Sequence, residues 1–203
     1  MPNTATSTPR TPNAGPTGVL HPEELRGRAS GVLVGAVMGL AWMATALGAI
    51  NPVIRMPLVL AGVVTFAVLM TGVRRLRRAA AARPASEWSG ADSNRMRRRF
   101  ALVLAAESFA IAAAINILVG SGHPDWIPAA ICAAVGLHFI PLARLFAVRL
   151  YDATAAGLCL VAATTLAIGA AGASESVWHL VPGLGAAAVL WATSGRLLVT
   201  SPT

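Results

Sequence analysis

Charge is scarce in this sequence. Only 12% of its 203 residues are Asp, Glu, Lys or Arg, against about 25% in a soluble domain. The deficit falls in long apolar stretches, so a water-soluble core does not explain the chain. Lysine is missing: all sixteen basic residues are arginine. Together with abundant alanine, that usage matches the coding bias of a GC-rich bacterium. Cysteine is nearly absent too. Cys132 and Cys159 belong to no CxxC or other ligand spacing, and read as small packing residues rather than a disulfide or a metal site. No HExxH, GxSxG, Walker A or dinucleotide fingerprint occurs. The connections between apolar runs are too short to house a soluble catalytic domain. No metal and no cofactor is expected.

What the sequence does have is six apolar runs, at residues 29–50, 58–73, 100–119, 126–143, 153–172 and 179–199. About 20 such residues cross roughly 30 Å of hydrocarbon as a helix. The second run is short, and borrows Met56, Pro57 and the stems of Arg74 and Arg75. The fold class predicted is an all-α, polytopic membrane bundle of six transmembrane helices. Residues 1–28 form a disordered tail rich in Pro, Thr, Asn and Gly, and residues 29–200 form the membrane domain. A signal peptide is the rival reading of the first run, but its apolar core spans about 7–15 residues, shorter than 29–50.

The arginines supply an orientation. Nine lie within 74–99, between the second and third runs. With Arg10, Arg26, Arg28, Arg144, Arg149 and Arg196, fifteen fall on one side of the six-span arrangement, and Arg55 alone on the other. Basic residues accumulate in short cytoplasmic loops, so both termini are predicted inside, in a bacterial cytoplasmic membrane. The net charge of +8 is then a topology signal, and nucleic acid is not an expected partner. Arg74, Arg75, Arg77, Arg78, Arg97, Arg98 and Arg99, joined by Arg95, are candidates for anionic headgroup contact at about 1 kcal/mol each. Trp126 and Trp178 fit the outer aromatic belt.

Local signals complete the plan. Pro22-Glu23-Glu24 reads as a helix start, Asp152 as a cap for the fifth span, and Ser174 or Ser176 as a cap for the sixth. Asn51-Pro52, Gly122-His123-Pro124 and Ala173–Ser176 mark outer turns, and Ser89–Asn94 a flexible turn. Arg74 to Ala82 extends the second span until Pro84. Prolines near the starts of the even spans (Pro57, Pro128, Pro182) and arginines near their ends hint at a threefold hairpin repeat. General placement rules explain this equally. Gly31, Gly35 and Gly39 form a flat stripe for close helix packing, against a neighbouring span or a second subunit.

Chemistry in such a chain resides in polar groups within the spans. An ionisable side chain there costs about 2.5–3.5 kcal/mol on insertion scales, and so usually faces protein or water and often has a role. Glu107 in the third span and His138 in the fourth qualify, with Asn116 further along. Glu107 lies eight residues past Arg99, about 12 Å along the helix, and His138 six residues before Arg144, about 9 Å. Spans three and four are joined by a short turn and run antiparallel, so the two groups reach similar depth. Two readings stand: a proton- or cation-binding pair, and a buried hydrogen bond tying two helices. Pro141 frees the carbonyl of Leu137 beside the histidine, which is either a small polar site or a packing kink. His123, Asp125, Glu175 and His179 near the outer face lack ligand spacing and read as loop residues.

The run Gly136-Leu137-His138-Phe139-Ile140-Pro141-Leu142-Ala143-Arg144-Leu145-Phe146 is the most specific sequence in the chain. With Glu107, Gly122-His123-Pro124, Tyr151, Thr154 and Gly157, it resembles a family of small bacterial multi-pass membrane proteins over residues 95–160. The resemblance implies a shared membrane fold and says nothing about substrate. Three functions follow in order. The first is a small proton-linked transporter using Glu107 and His138. The second is a non-catalytic scaffold or accessory subunit contacting lipid, partner helices or itself. The third is an intramembrane enzyme pairing His138 with Ser108 or Thr154.

Overall fold

The computed structural model describes residues 22–82 and 90–200, and these form six long helices. They are α1 (Pro22–Leu47), α2 (Pro52–Ala81), α3 (Gly90–Gly120), α4 (Ile127–Phe146), α5 (Leu150–Ala170) and α6 (Val177–Val199), with a single 3₁₀ turn at Pro124–Trp126 before α4. All six are long and apolar enough to cross a membrane. The six apolar runs therefore become six spans of a multi-pass membrane protein.

Helix ends depart from expectation in instructive ways. Helix α1 begins at Pro22, so residues 22–28 are helical rather than part of the tail, while 1–21 lie outside the described residues. Helix α2 is longer than the run 58–73, because Pro52 sits in its first turn and the Asn51 side chain accepts from the Val53 N–H at 3.0 Å. Pro57 is consequently an interior residue, not the start of the span. The extension through Arg78 to Ala81 matches the sequence reading, and Pro84 lies outside the described residues. The turn expected at Ser89–Asn94 is helical from Gly90 onward. Asp152 does not cap α5: the helix starts two residues earlier, leaving the carboxylate in its first turn. Ser176 occupies the N-cap position of α6 but makes no side-chain cap; its hydroxyl pairs with that of Ser174 at 2.9 Å.

Helix packing follows the order α2, α1, α6, α5, α4, α3, with α6 also touching α4 and α2. Small residues explain which helices meet. A Cβ on Gly31 would come within 2.8 Å of the Tyr151 hydroxyl, and one on Gly35 or Gly39 would collide with Ser194 Oγ or the Trp191 indole. The glycine stripe of α1 is thus buried against α6 and the start of α5, within the chain. From the other side, Gly183 of α6 admits the Ala46 backbone, its missing Cβ falling 2.9 Å from Ala46 N. Interhelical bonds fasten the same seams. The Trp191 indole donates to the Ala36 carbonyl at 3.3 Å, and the hydroxyls of Thr154 and Thr193 meet at 2.7 Å between α5 and α6. Cys132 and Cys159 are free and pack in the α4–α5 seam, Cys132 Sγ approaching the Leu158 carbonyl at 3.4 Å.

Helix α3 stands apart at one edge. Its main neighbour is α4, with a smaller contact to the 3₁₀ turn. No residue of its most apolar stretch is fully buried, and Leu102, Phe109 and Ile117 are exposed. That edge position frames the polar pair.

Candidate functional site

Antiparallel α3 and α4 bring Glu107 and His138 together. Glu107 Oε2 lies 3.1 Å from His138 Nδ1, with the side chains 14% and 9% exposed. The register comes from the short Ser121–Trp126 connection, whose backbone bonds His123 to Leu118 and Trp126 to His123. Around the pair, Ile111 of α3 and Phe139 of α4 pack on the apolar cluster of Cys132, Val135 and Leu158. The Phe139 ring also abuts His138, at 6.0 Å between centroids, and Tyr151 at 5.5 Å. Phe100 and Phe146 close the arginine-rich end of the seam at 6.1 Å.

The contact has an unusual geometry. Nδ1 of His138 is buried and has no aligned hydrogen-bond partner, although the carboxylate oxygen is within charge-pair reach. The Val103 backbone, one turn from Glu107, is the imidazole's other polar neighbour. Buried polar atoms are hydrogen-bonded in the large majority of cases. A carboxylate and a ring nitrogen 3.1 Å apart can each take up and release a proton, and an aligned contact would let them pass one between them.

The other expected residues lie elsewhere. Asn116 is exposed, and its amide donates to the Ala112 carbonyl of its own helix at 2.7 Å. Nine residues separate it from Glu107, about 13 Å along α3, so it does not join the pair. Pro141 and Leu137 are both exposed on α4 while His138 turns toward α3. Ser108 donates to Leu104 and Thr154 to Leu150, so neither hydroxyl is set beside His138 as a nucleophile.

At the opposite end from the arginines, His123, Trp126 and Trp178 form an aromatic ladder, with centroids 5.1 and 5.7 Å apart. Among the described residues no cluster of His, Cys, Asp and Glu is placed to hold a metal. Arg74, Arg75, Arg77, Arg78, Arg97, Arg98 and Arg99 are all exposed, as headgroup contact requires. Arg97 also donates to Asn94 Oδ1 at 3.1 Å.

Two features escaped the sequence reading. The Thr154–Thr193 bridge and the Trp191–Ala36 bond had a visible signal, polar side chains inside apolar runs. Their partners depend on which helices adjoin, and sequence alone did not say that α6 occupies the centre. No family model, curated protein or solved structure matches this chain.

Proposed function

We propose that the protein is a small proton-linked transporter of a bacterial cytoplasmic membrane, with both termini inside and Glu107 and His138 as its proton-holding pair. The observation that carries this is the 3.1 Å approach of two ionisable groups with no aligned hydrogen bond between them. Placing a carboxylate and an imidazole in a span costs several kcal/mol, whereas interhelical hydrogen bonds average about 0.6 kcal/mol in membranes. A structural tie alone is a weak return for that cost. The partners required are membrane lipids; no cofactor enters.

The test is flux. Purified protein in vesicles with an imposed pH gradient should carry a proton current that Glu107→Gln abolishes. Equal flux in the variant would remove the role assigned to Glu107.

A second reading, an accessory subunit that docks partner helices, draws on the edge position of α3 and its exposed Leu102, Phe109 and Ile117. It no longer draws on the glycine stripe, which α6 and Tyr151 occupy. Under this reading Glu107→Gln spares function, and polar substitution at Phe109 disrupts a complex.

A further inference from the structure

An open hollow of about 730 Å³ lies at the arginine-rich end of α3, lined by Asn94, Arg95, Arg98, Arg99, Ala101 and Leu102. Residues 95, 98, 99 and 102 are spaced i, i+3, i+4 and i+7, so they share one helix face. At about 100° per residue, Arg98, Leu102 and Arg95 stand about 180°, 140° and 120° around the helix from Glu107, and Arg99 about 80°. This face therefore looks away from the Glu107–His138 seam. It is a separate site.

Its chemistry is amphiphilic along the helix axis. If hydrocarbon about 30 Å thick covers the last 20 residues of α3, its boundary falls near Ala101. Arg95, Arg98 and Arg99 then stand in the headgroup layer, and Ala101 and Leu102 at the top of the acyl region. No ion pair joins the three arginines to a carboxylate among the described residues. Asn94 turns its side-chain oxygen to Arg97, which leaves its amide N–H groups for an acceptor. Guanidinium forks match phosphate oxygens bidentately, and Leu102 is 70% exposed below them.

We infer that this face of α3 is a discrete binding site for one anionic phospholipid, its phosphodiester held by Arg95, Arg98 and Arg99 and its acyl chain lying on Ala101 and Leu102. The apolar floor is the argument for a lipid over a free phosphate, and the three clustered forks the argument against diffuse attraction. The inference goes beyond the transport reading and needs only a bilayer.

The experiment is retention of added lipid by the purified full chain in detergent, read by native mass spectrometry. Phosphatidylglycerol should be kept at one per chain, at least tenfold more tightly than phosphatidylcholine with the same acyl chains. Replacing Arg95, Arg98 and Arg99 with Gln should weaken retention at least tenfold, while Gln at Arg74, Arg75 and Arg78 should change it less than threefold. Lysine at the same three α3 positions keeps the charge that sets orientation, yet should still weaken retention severalfold because the fork is lost. Leu102→Trp, which leaves every charge in place, should also weaken retention severalfold and serves if the glutamine variant does not fold. Equal loss from the α2 and α3 glutamine variants would overturn the site, as would equal retention of phosphatidylcholine. Displacement of the lipid by millimolar inorganic phosphate would also overturn it, showing an anion site with no lipid specificity.

Discussion

His138 tests whether the polar pair works or merely fastens. Its Nδ1 sits 3.1 Å from Glu107 Oε2 with no aligned hydrogen bond. His138→Gln is expected to abolish proton flux while lowering stability in detergent by no more than about 1 kcal/mol, near the usual size of an interhelical bond. Denaturant titration and flux on the same preparation check this. A loss of several kcal/mol with flux intact would make the pair a structural tie. Ala147 offers a purely conformational test. It ends α4 with φ of 53°, in the left-handed region, where its N–H reaches the Ala143 carbonyl. A Cβ is disfavoured there by about 1–2 kcal/mol, so Ala147→Gly should raise the midpoint of thermal unfolding. A lower midpoint would count against this cap geometry.

Among the helices, the α1–α6 seam is the one most sensitive to volume. A Cβ on Gly35 would meet Ser194 Oγ, the tip of a short, buried side chain that a change of rotamer can move, and would only touch the Leu190 carbonyl at 3.4 Å. Gly35→Ala should therefore be mild. Gly35→Leu adds a branched side chain to a filled seam and should cost about 3 kcal/mol or more, at or above the upper end for overpacking. Size-exclusion profiles after mild heating distinguish them: the leucine variant should aggregate first. If both variants behave as the parent, the stripe does not face α6. The stripe itself was legible in the sequence as a four-residue spacing. Its partner was not, because Ser194 and Trp191 lie some 150 residues later, and nothing local specifies which span comes adjacent.

The whole molecule is governed by its arginines. Apart from Arg55, the arginines fall in the tails and connections that the proposed topology puts on one side, and the positive-inside tendency is the ground for proposing that side as the cytoplasm. Single cysteines on a Cys132→Ala, Cys159→Ala background test this with a membrane-impermeant maleimide. Ser86→Cys should label only after cells are opened, and Glu175→Cys in intact cells. The reverse pattern would invert the proposed topology. The helix row leaves α3 at an edge with one main neighbour.

By itself, the sequence determined the number of spans, the clustering of the arginines, and the matching levels of Glu107 and His138 along their helices. Each depends on local composition or on counting residues at a fixed helical rise. Even the meeting of the pair was in reach, since a short turn forces neighbouring helices antiparallel. Only the tertiary structure decided that the glycine stripe serves α6 and that Asn116 stays outside the site. Those outcomes depend on rotation about helix axes and on contacts between distant spans. In an apolar solvent, hydrophobicity alone cannot choose among such packings, and the fit of small side chains does.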